Sequence, residues 1–211
     1  MKANTVVTSS MIAKSDEKTT NDLRIQEYNM LRLSSQIAAE DYIDIRFRMP
    51  SGEDYIVVSK KKVEIPQIDG VDSATTIWLR LTEDEILTMS NAIVENYMIE
   101  GSVLYTAKYV EPGTQEKATP TYVPSEAVQN LLRNNDSNIL NTAKLALLTR
   151  YQGNSDVRNN INNTKNSIDP DDVATNISTG VKQEVSTAQE QRQDYFCLLY
   201  TSDAADDLIG V

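Results

Sequence analysis

The stretch YIDIRFRMPSGEDYIVV, residues 42–58, decides the fold of this chain. Its first half alternates apolar and polar side chains, and the apolar members are Ile43, Ile45, Phe47 and Met49. A period of two is typical of a β-strand with one buried face. The cluster Pro-Ser-Gly-Glu-Asp that follows predicts a turn, so residues 55–58 should return antiparallel to the first strand. This stretch therefore predicts a hairpin in an antiparallel sheet.

Two more segments extend the strand pattern. Residues 77–81, IWLRL, alternate again, which places Trp78 on the face opposite Ile77 and Leu79. Residues 102–110, SVLYTAKYV, predict a further strand that ends before a Pro-Gly turn. We therefore expect a small antiparallel sheet.

Helices are predicted before these strands in the sequence and between two of them. Thr82 and Glu85 have the spacing of a capping box, which marks a helix start, and Gly101 lies where a left-handed helix terminator belongs. Residues 21–40 carry a broad apolar stripe at helical spacing and predict a first helix. The fold class that follows is α+β: a small antiparallel sheet packed by helices, with a long C-terminal amphipathic helix.

The C-terminal third changes character. Residues 153–168 are rich in asparagine and predict a connector or a solvated helix. Asp169 and Pro170 then form a helix start, and a helical extension is expected over residues 169–196. Its apolar residues form one narrow seam: Val173, Ile177, Val181, Val185 and Ala188. Such a seam suits pairing with one helix, from the Asn-rich segment, a symmetry mate or a region beyond this chain. Gly180 should weaken this helix by about 1 kcal/mol relative to alanine.

The two ends are expected to lie outside the compact domain. Residues 1–20 are polar and Ser/Thr-rich and predict a flexible N-terminal arm, so the α+β domain itself is assigned to residues 21–152. Residues 197–211, CLLYTSDAADDLIGV, resemble one translated frame of a transposase-type sequencing adapter. We therefore expect the native chain to be read only to Phe196 and to continue beyond it.

Composition argues against most enzyme classes. The 211-residue chain has no histidine, and its one cysteine, Cys197, lies in the adapter-like tail, which excludes Cys/His zinc sites, disulfide scaffolds and thiol or imidazole catalysis. It contains neither a phosphate-binding glycine loop nor a Gly-x-Ser-x-Gly elbow. We expect no enzyme activity, no cofactor and no metal.

Charge and hydropathy limit the partners. A net charge of -11 disfavours nucleic acid, because such binding comes largely from cations that neutralise phosphates. The run Lys60–Lys62 is interpreted as a solvated strand end or a guard on an edge strand. No apolar run reaches the roughly 20 residues of a membrane span, so no membrane partner is expected.

Protein contacts are the remaining expectation. Tyr105, Tyr109 and Tyr122 lie on a hairpin bounded by Pro and Gly, and Trp78 faces away from its apolar neighbours. Tyrosine and tryptophan are favoured at interfaces, since an apolar ring carries a polar group that tolerates water. Ordinary strand packing explains the same residues equally well.

Residues 77–147, notably LTEDEILTMSNAIVENYMIEGSVLYTAKYVEPGTQEKATPTYVPSEAVQNLL, resemble virion structural proteins of tailed bacteriophages from gut metagenomes. The resemblance implies a non-enzymatic component of capsid, neck or tail. Such a protein assembles in the host bacterial cytoplasm with copies of itself and with other virion proteins. The alternative is a non-catalytic regulatory adaptor that binds a peptide or a partner helix.

Overall fold

A computed structural model describes residues 19–68, 71–134 and 141–206 of the chain. The strands are β1 (Arg24–Tyr28), β2 (Tyr42–Arg48), β3 (Asp54–Glu64), β4 (Gln67–Ile68), β5 (Val71–Asp72), β6 (Ile77–Leu81) and β7 (Val103–Lys108). The helices are α1 (Glu83–Met98), α2 (Glu126–Arg133), α3 (Asn141–Gly153), α4 (Ser155–Asn166) and α5 (Pro170–Asp206). The prediction of an α+β fold with a long C-terminal helix is confirmed. Nearly all of the predicted N-terminal arm lies outside the described residues.

The predicted hairpin forms the centre of the sheet. Strands β2 and β3 pair antiparallel, with Ile45 opposite Val58 and Phe47 opposite Tyr55. The alternating apolar side chains of β2 are completely or almost completely buried, as the period of two requires. The local pattern of residues 42–58 therefore specifies both the strands and the face that packs inward.

The main sheet curls until its two edges come close together. Its strand order is β1-β6-β3-β2-β7, and all of its pairings are antiparallel. Shortly after edge strand β1, the Arg32 amide donates to the Leu104 carbonyl at 2.9 Å, and the Thr106 amide donates to the Arg32 carbonyl at 3.2 Å. The four Cα-to-Cα steps from Tyr28 to Arg32 can span only about 14 Å. The edges of a flat sheet of this width would lie about 19 Å apart, so the sheet must be strongly curled.

The prediction of a helix over residues 21–40 is wrong. This segment instead holds β1, which pairs with β6, for example Gln26 with Leu79. The expected helical stripe included the polar residues Glu27 and Ser34, so it lacked a continuous apolar face. Ladder hydrogen bonds to a strand distant in sequence outweigh this weak local periodicity.

Helix α1 starts and ends as the sequence predicts. The Glu85 carboxylate accepts the Thr82 amide at 3.0 Å, which is one arm of the predicted capping box. Gly101 follows the helix with φ of +78°, a left-handed conformation that glycine adopts without strain. Met89 and Ala92 of α1 are buried in the main core beneath the sheet.

The remaining helices form a second layer. Helices α2 and α3 enclose a small separate core of Val123, Leu132, Leu147 and Tyr151. The Asn-rich segment forms helix α4, and its Ile161 is completely buried in the main core. Helix α5 begins at Pro170, and the Asp169 carboxylate accepts the Asp171 amide at 2.9 Å, as expected of a helix start. Among the described residues, no helix combines the length and apolar character needed to cross a membrane.

Candidate interaction surface

Helix α5 docks on its own domain. The Tyr97 hydroxyl donates to Glu184 Oε2 at 2.9 Å, and Asn29 Nδ2 donates to the Glu184 carbonyl at 3.1 Å. One and a half to two turns further on, Gln191 accepts from the Thr76 hydroxyl at 2.5 Å and donates to Thr75 Oγ1 at 2.7 Å. The helix therefore lies against α1 and the approach to β6 of the same chain. This partner was not among the three considered from the sequence.

Gly180 permits the close approach of α5 to α1. A Cβ atom built on Gly180 would lie 2.5 Å from Cγ of Tyr97, closer than real side-chain contacts allow. The absence of a side chain at this position lets the Tyr97 ring rest against the helix backbone. The sequence identified only the loss of helix propensity at Gly180 and missed its packing role.

The seam predicted on α5 runs from the docked side of the helix onto a more exposed side, because residues four apart advance by about 40° around an α-helix. Val173 and Ile177 are half-buried on the docked side, together with Ala188. Val181 and Val185 are 45% and 49% exposed and form an outward pair, which we call the valine stripe. Because the two residues are separated by four positions, their side chains lie side by side on one surface of α5.

Two of the aromatic candidates lie on the outer face of the sheet. Trp78 is 37% exposed, and its indole N–H donates to Glu27 Oε2 at 2.9 Å across the β1–β6 pair. Ile25 of edge strand β1, two residues before Glu27, is 58% exposed. The Tyr105 ring is half-buried, and its hydroxyl donates to the Asp54 carboxylate. These side chains are therefore held by specific partners while part of each stays at the surface.

The other two tyrosines lie inside the fold. The Tyr109 hydroxyl accepts the Ala118 amide at 3.1 Å and lies 3.1 Å from Ser59 Oγ. Tyr122 is completely buried, and its hydroxyl donates to Glu95 Oε2 at 2.7 Å. Strand and loop packing, the other interpretation of the sequence, accounts for both rings.

Glu95 of α1 is the centre of a buried charge network. Its side chain is wholly buried, and its Oε1 atom lies 2.8 Å from Arg158 Nη2 and 3.4 Å from Lys165 Nζ. Arg158 Nη2 makes no well-aligned hydrogen bond despite this short distance, whereas Nη1 donates to the Val123 carbonyl at 3.2 Å. These contacts compensate a buried carboxylate and fix α4 against α1. Burial, and then Glu95 itself, raise the pKa of Tyr122, which keeps its hydroxyl a neutral donor.

A second group of charges surrounds the start of α1. Glu85 lies 2.5 Å from Lys61 Nζ and 3.8 Å from Lys117 Nζ. Burial raises the pKa of the neighbouring Asp84, and burial followed by the charge of Lys61 lowers the pKa of Lys117. Within the described ranges, no group of three or more acidic, His or Cys side chains could hold a metal ion.

A cleft of about 340 Å³ opens between α5 and the domain. Its wall is mostly polar and includes Asn29, Arg32, Asn96, Tyr97 and Glu184. Comparison of the chain with protein-family models, with curated proteins and with solved structures found no match. Its function is therefore argued from the surfaces described above.

Proposed function

We propose that this chain is a non-enzymatic structural or assembly protein of a tailed-bacteriophage virion, in the capsid, neck or tail. It acts through contacts with other virion proteins and with copies of itself. The observation that carries the contact role is the partly exposed valine stripe, which lies beside the docked face of a long helix. The virion assignment rests on the resemblance of residues 77–147 to such proteins.

The docking of α5 explains why the valine stripe is available to a partner. Gly180 lies on the face of α5 that contacts Tyr97 of α1. Val181 and Val185 lie roughly 100–140° around the helix from Gly180 and stay about half exposed. Burying a valine side chain contributes up to about 1.5–3 kcal/mol, so two valines give a contact that is weak alone. Repetition of a weak contact in a symmetric assembly raises the overall affinity by multivalency. A narrow stripe on a rod therefore suits a protein that functions in many copies.

The state of the buried carboxylates supports a structural role. Glu95 is shared by Arg158, Lys165 and Tyr122. Asp44 accepts the Ser59 hydroxyl at 2.8 Å and the Lys60 amide at 2.9 Å through one oxygen. A general acid or base needs a position from which it can reach a substrate proton, whereas these groups face fixed partners within the fold.

Sedimentation velocity of the full chain over a range of concentrations tests the contact role. We expect concentration-dependent association that is lost in the double variant Val181→Ser/Val185→Ser. The matched control is Val71→Ser/Val110→Ser, which makes the same chemical change at two exposed valines elsewhere and should associate like the parent. A chain that stays monomeric and binds no virion protein, or two double variants that behave alike, would contradict the proposal.

Mass spectrometry of gradient-purified phage particles from a culture that carries the gene tests the virion assignment. The chain should be found among the particle proteins, and its absence would contradict a virion role.

The second candidate is a non-catalytic adaptor, favoured by the cleft beside α5. A monomer that forms a stoichiometric complex with one peptide or helix, with no association through the valine stripe, would support the adaptor.

A further inference from the structure

The cleft beside α5 is lined by two opposite charges that do not contact each other. Arg32 comes from the segment that follows β1, and Glu184 comes from α5. Within the described part of the chain no salt bridge joins them, so their charged atoms lie more than about 4 Å apart. The wall of the cleft therefore carries a cation and a carboxylate that do not neutralise each other.

Both residues are held in place, and both charged groups keep bonding capacity. Hydrogen bonds fix the Arg32 amide and carbonyl to β7, while its exposed guanidinium has no partner among the described residues. Glu184 Oε2 accepts the Tyr97 hydroxyl at 2.9 Å, and no described residue donates to the other oxygen, Oε1. The cleft is thus ordered on both sides before any ligand arrives.

Amide side chains line another part of the cleft. Asn96 Oδ1 accepts the Ser102 hydroxyl at 3.2 Å, which leaves the Asn96 Nδ2 amide without a partner in the described ranges. Gln183 is exposed next to Glu184 on α5. A side-chain amide both donates and accepts hydrogen bonds, so these residues fit a neutral polar group of a ligand.

The cations of the lysine run singled out from the sequence are already paired. Lys60 Nζ donates to the Gln115 carbonyl at 2.9 Å, and the other two lysines pair with Glu85 and Glu40. Strand β3 is central in the sheet, so the edge-guard interpretation of this run is wrong. Arg32 differs from these lysines because its charge is available to a ligand.

We propose that the cleft binds a free α-amino acid with a polar, uncharged side chain, held by Arg32 at its carboxylate and by Glu184 at its ammonium group. This inference goes beyond the proposed contact role and does not depend on it. A neutral ligand would desolvate both protein charges without an offsetting contact, whereas a zwitterion supplies the opposite charge to each. The volume of about 340 Å³ lies at the small end of ligand sites and suits a small molecule.

The separation of the two charges favours a zwitterion over a single ion. The ammonium and carboxylate groups of an amino acid are attached to one carbon, and each forms charge-assisted hydrogen bonds of about 2.7–2.9 Å. A ligand between Arg32 and Glu184 therefore requires them to lie further apart than in a direct salt bridge, as they do. The planar guanidinium also suits bidentate binding of a carboxylate. A ligand with one charge would leave the other protein group unmatched.

Titration of the isotope-labelled full chain with L-glutamine, L-asparagine and L-serine, followed by amide NMR shifts, tests the inference. At least one of these should bind, with the largest shifts in the cleft, at Asn96 and Gly180. Arg32→Gln and Glu184→Gln should each weaken this binding by about tenfold or more, since hydrogen bonds to charged groups are strong. The new glutamine at 184 keeps an acceptor for the Tyr97 hydroxyl, so α5 should stay docked.

Matched controls separate the site from general effects of charge. Arg80→Gln makes the same change at an arginine outside the cleft that pairs with Glu64, and Glu190→Gln makes it at an exposed carboxylate of α5. Both controls should bind the amino acid like the parent. On the ligand side, the N-acetyl derivative lacks the ammonium group and the carboxamide derivative lacks the carboxylate. Each derivative should bind about tenfold more weakly to the unaltered chain.

Four results would overturn the inference. These are an absence of binding by all three amino acids, shifts that lie outside the cleft, derivatives that bind as tightly as the free amino acid, and cleft variants that bind like their controls. A chain that associates through the valine stripe but binds no amino acid would overturn this inference alone and leave the proposed function standing.

Discussion

The centre of the sheet and the docked helix α5 are stabilised by different kinds of contact. In the β2–β3 hairpin, completely buried side chains such as Ile45 and Phe47 repeat at every second position. Along α5 the docked face contacts the domain through Gly180, which packs against the Tyr97 ring, and through hydrogen bonds of Glu184 and Gln191. The first region is stabilised by apolar burial, and the second by contacts that depend on individual residues.

This difference has consequences for stability and for function. Apolar burial contributes roughly 25 cal/mol per Å², whereas a polar contact near the surface contributes about 0.5–1.5 kcal/mol net. The sheet should therefore remain folded when α5 is detached, while α5 can respond to a partner. Regions of low local stability are the ones that proteins use for movement and binding.

The largest expected effect belongs to the sheet centre. Phe47→Ala should lower the free energy of unfolding by about 3–5 kcal/mol, because it removes a buried ring and leaves a cavity beside Tyr122. The two rings now meet edge to face, with centroids 5.8 Å apart. Urea denaturation measures the loss. Val110→Ala, at an 83% exposed position, is the control and should change stability by less than about 0.5 kcal/mol. Similar losses in both variants would contradict the assignment of the core.

A smaller loss is expected at the contact between helices α1 and α4. Arg158→Met should cost about 3 kcal/mol, because it leaves Glu95 buried with Lys165 as its nearest cation. The double variant Glu95→Leu/Arg158→Met removes both buried charges and should recover part of this loss. Calorimetric unfolding of the single and double variants provides the comparison. An additive further loss in the double variant would show that the pair is not coupled.

The smallest effect concerns the start of α1. Because burial raises the pKa of Asp84, the folded state holds this proton more tightly than the unfolded state. The free energy of unfolding contributed by this group therefore falls as pH rises from the ordinary carboxyl pKa through the raised value. Asp84→Asn should remove this fall, which urea denaturation at several pH values from about 4 to 7 would reveal. Identical slopes in the parent and the variant would contradict the burial argument.

Local patterns were sufficient for the central strands of the sheet, but not for its edge strand β1. The alternation in residues 42–58 and 77–81 predicts the strands, their inward faces and the outward position of Trp78. The capping residues Thr82 and Glu85 predict the start of α1. These features depend on neighbours in the sequence, so the sequence alone is enough to find them.

The surfaces could be predicted only in part. The docking of Gly180 against Tyr97, and the meeting of Arg32 with Tyr105, each join residues far apart in the chain. The alternation in YIDIRFR already places Arg46 and Arg48 on one polar face, which is a signal that sequence analysis could have used. The position of Arg32 beside β7 could not be predicted, because residues 21–40 carry a weak helical pattern. The inward position of Tyr122 depends on Glu95, which lies on a different element.

The central claim is that α5 lies on its own domain through Gly180 and Tyr97, which turns the valine stripe outward. A double-mutant cycle of Gly180→Ala and Tyr97→Ala, measured by urea denaturation, tests this claim most directly. In the parent, Gly180→Ala should destabilise by about 1–3 kcal/mol, because the new methyl group collides with the ring. In the Tyr97→Ala background the same change should stabilise by up to about 1 kcal/mol, since alanine favours the helix. Stabilisation by Gly180→Ala in both backgrounds would contradict the docking of α5 and, with it, the proposed role of the valine stripe.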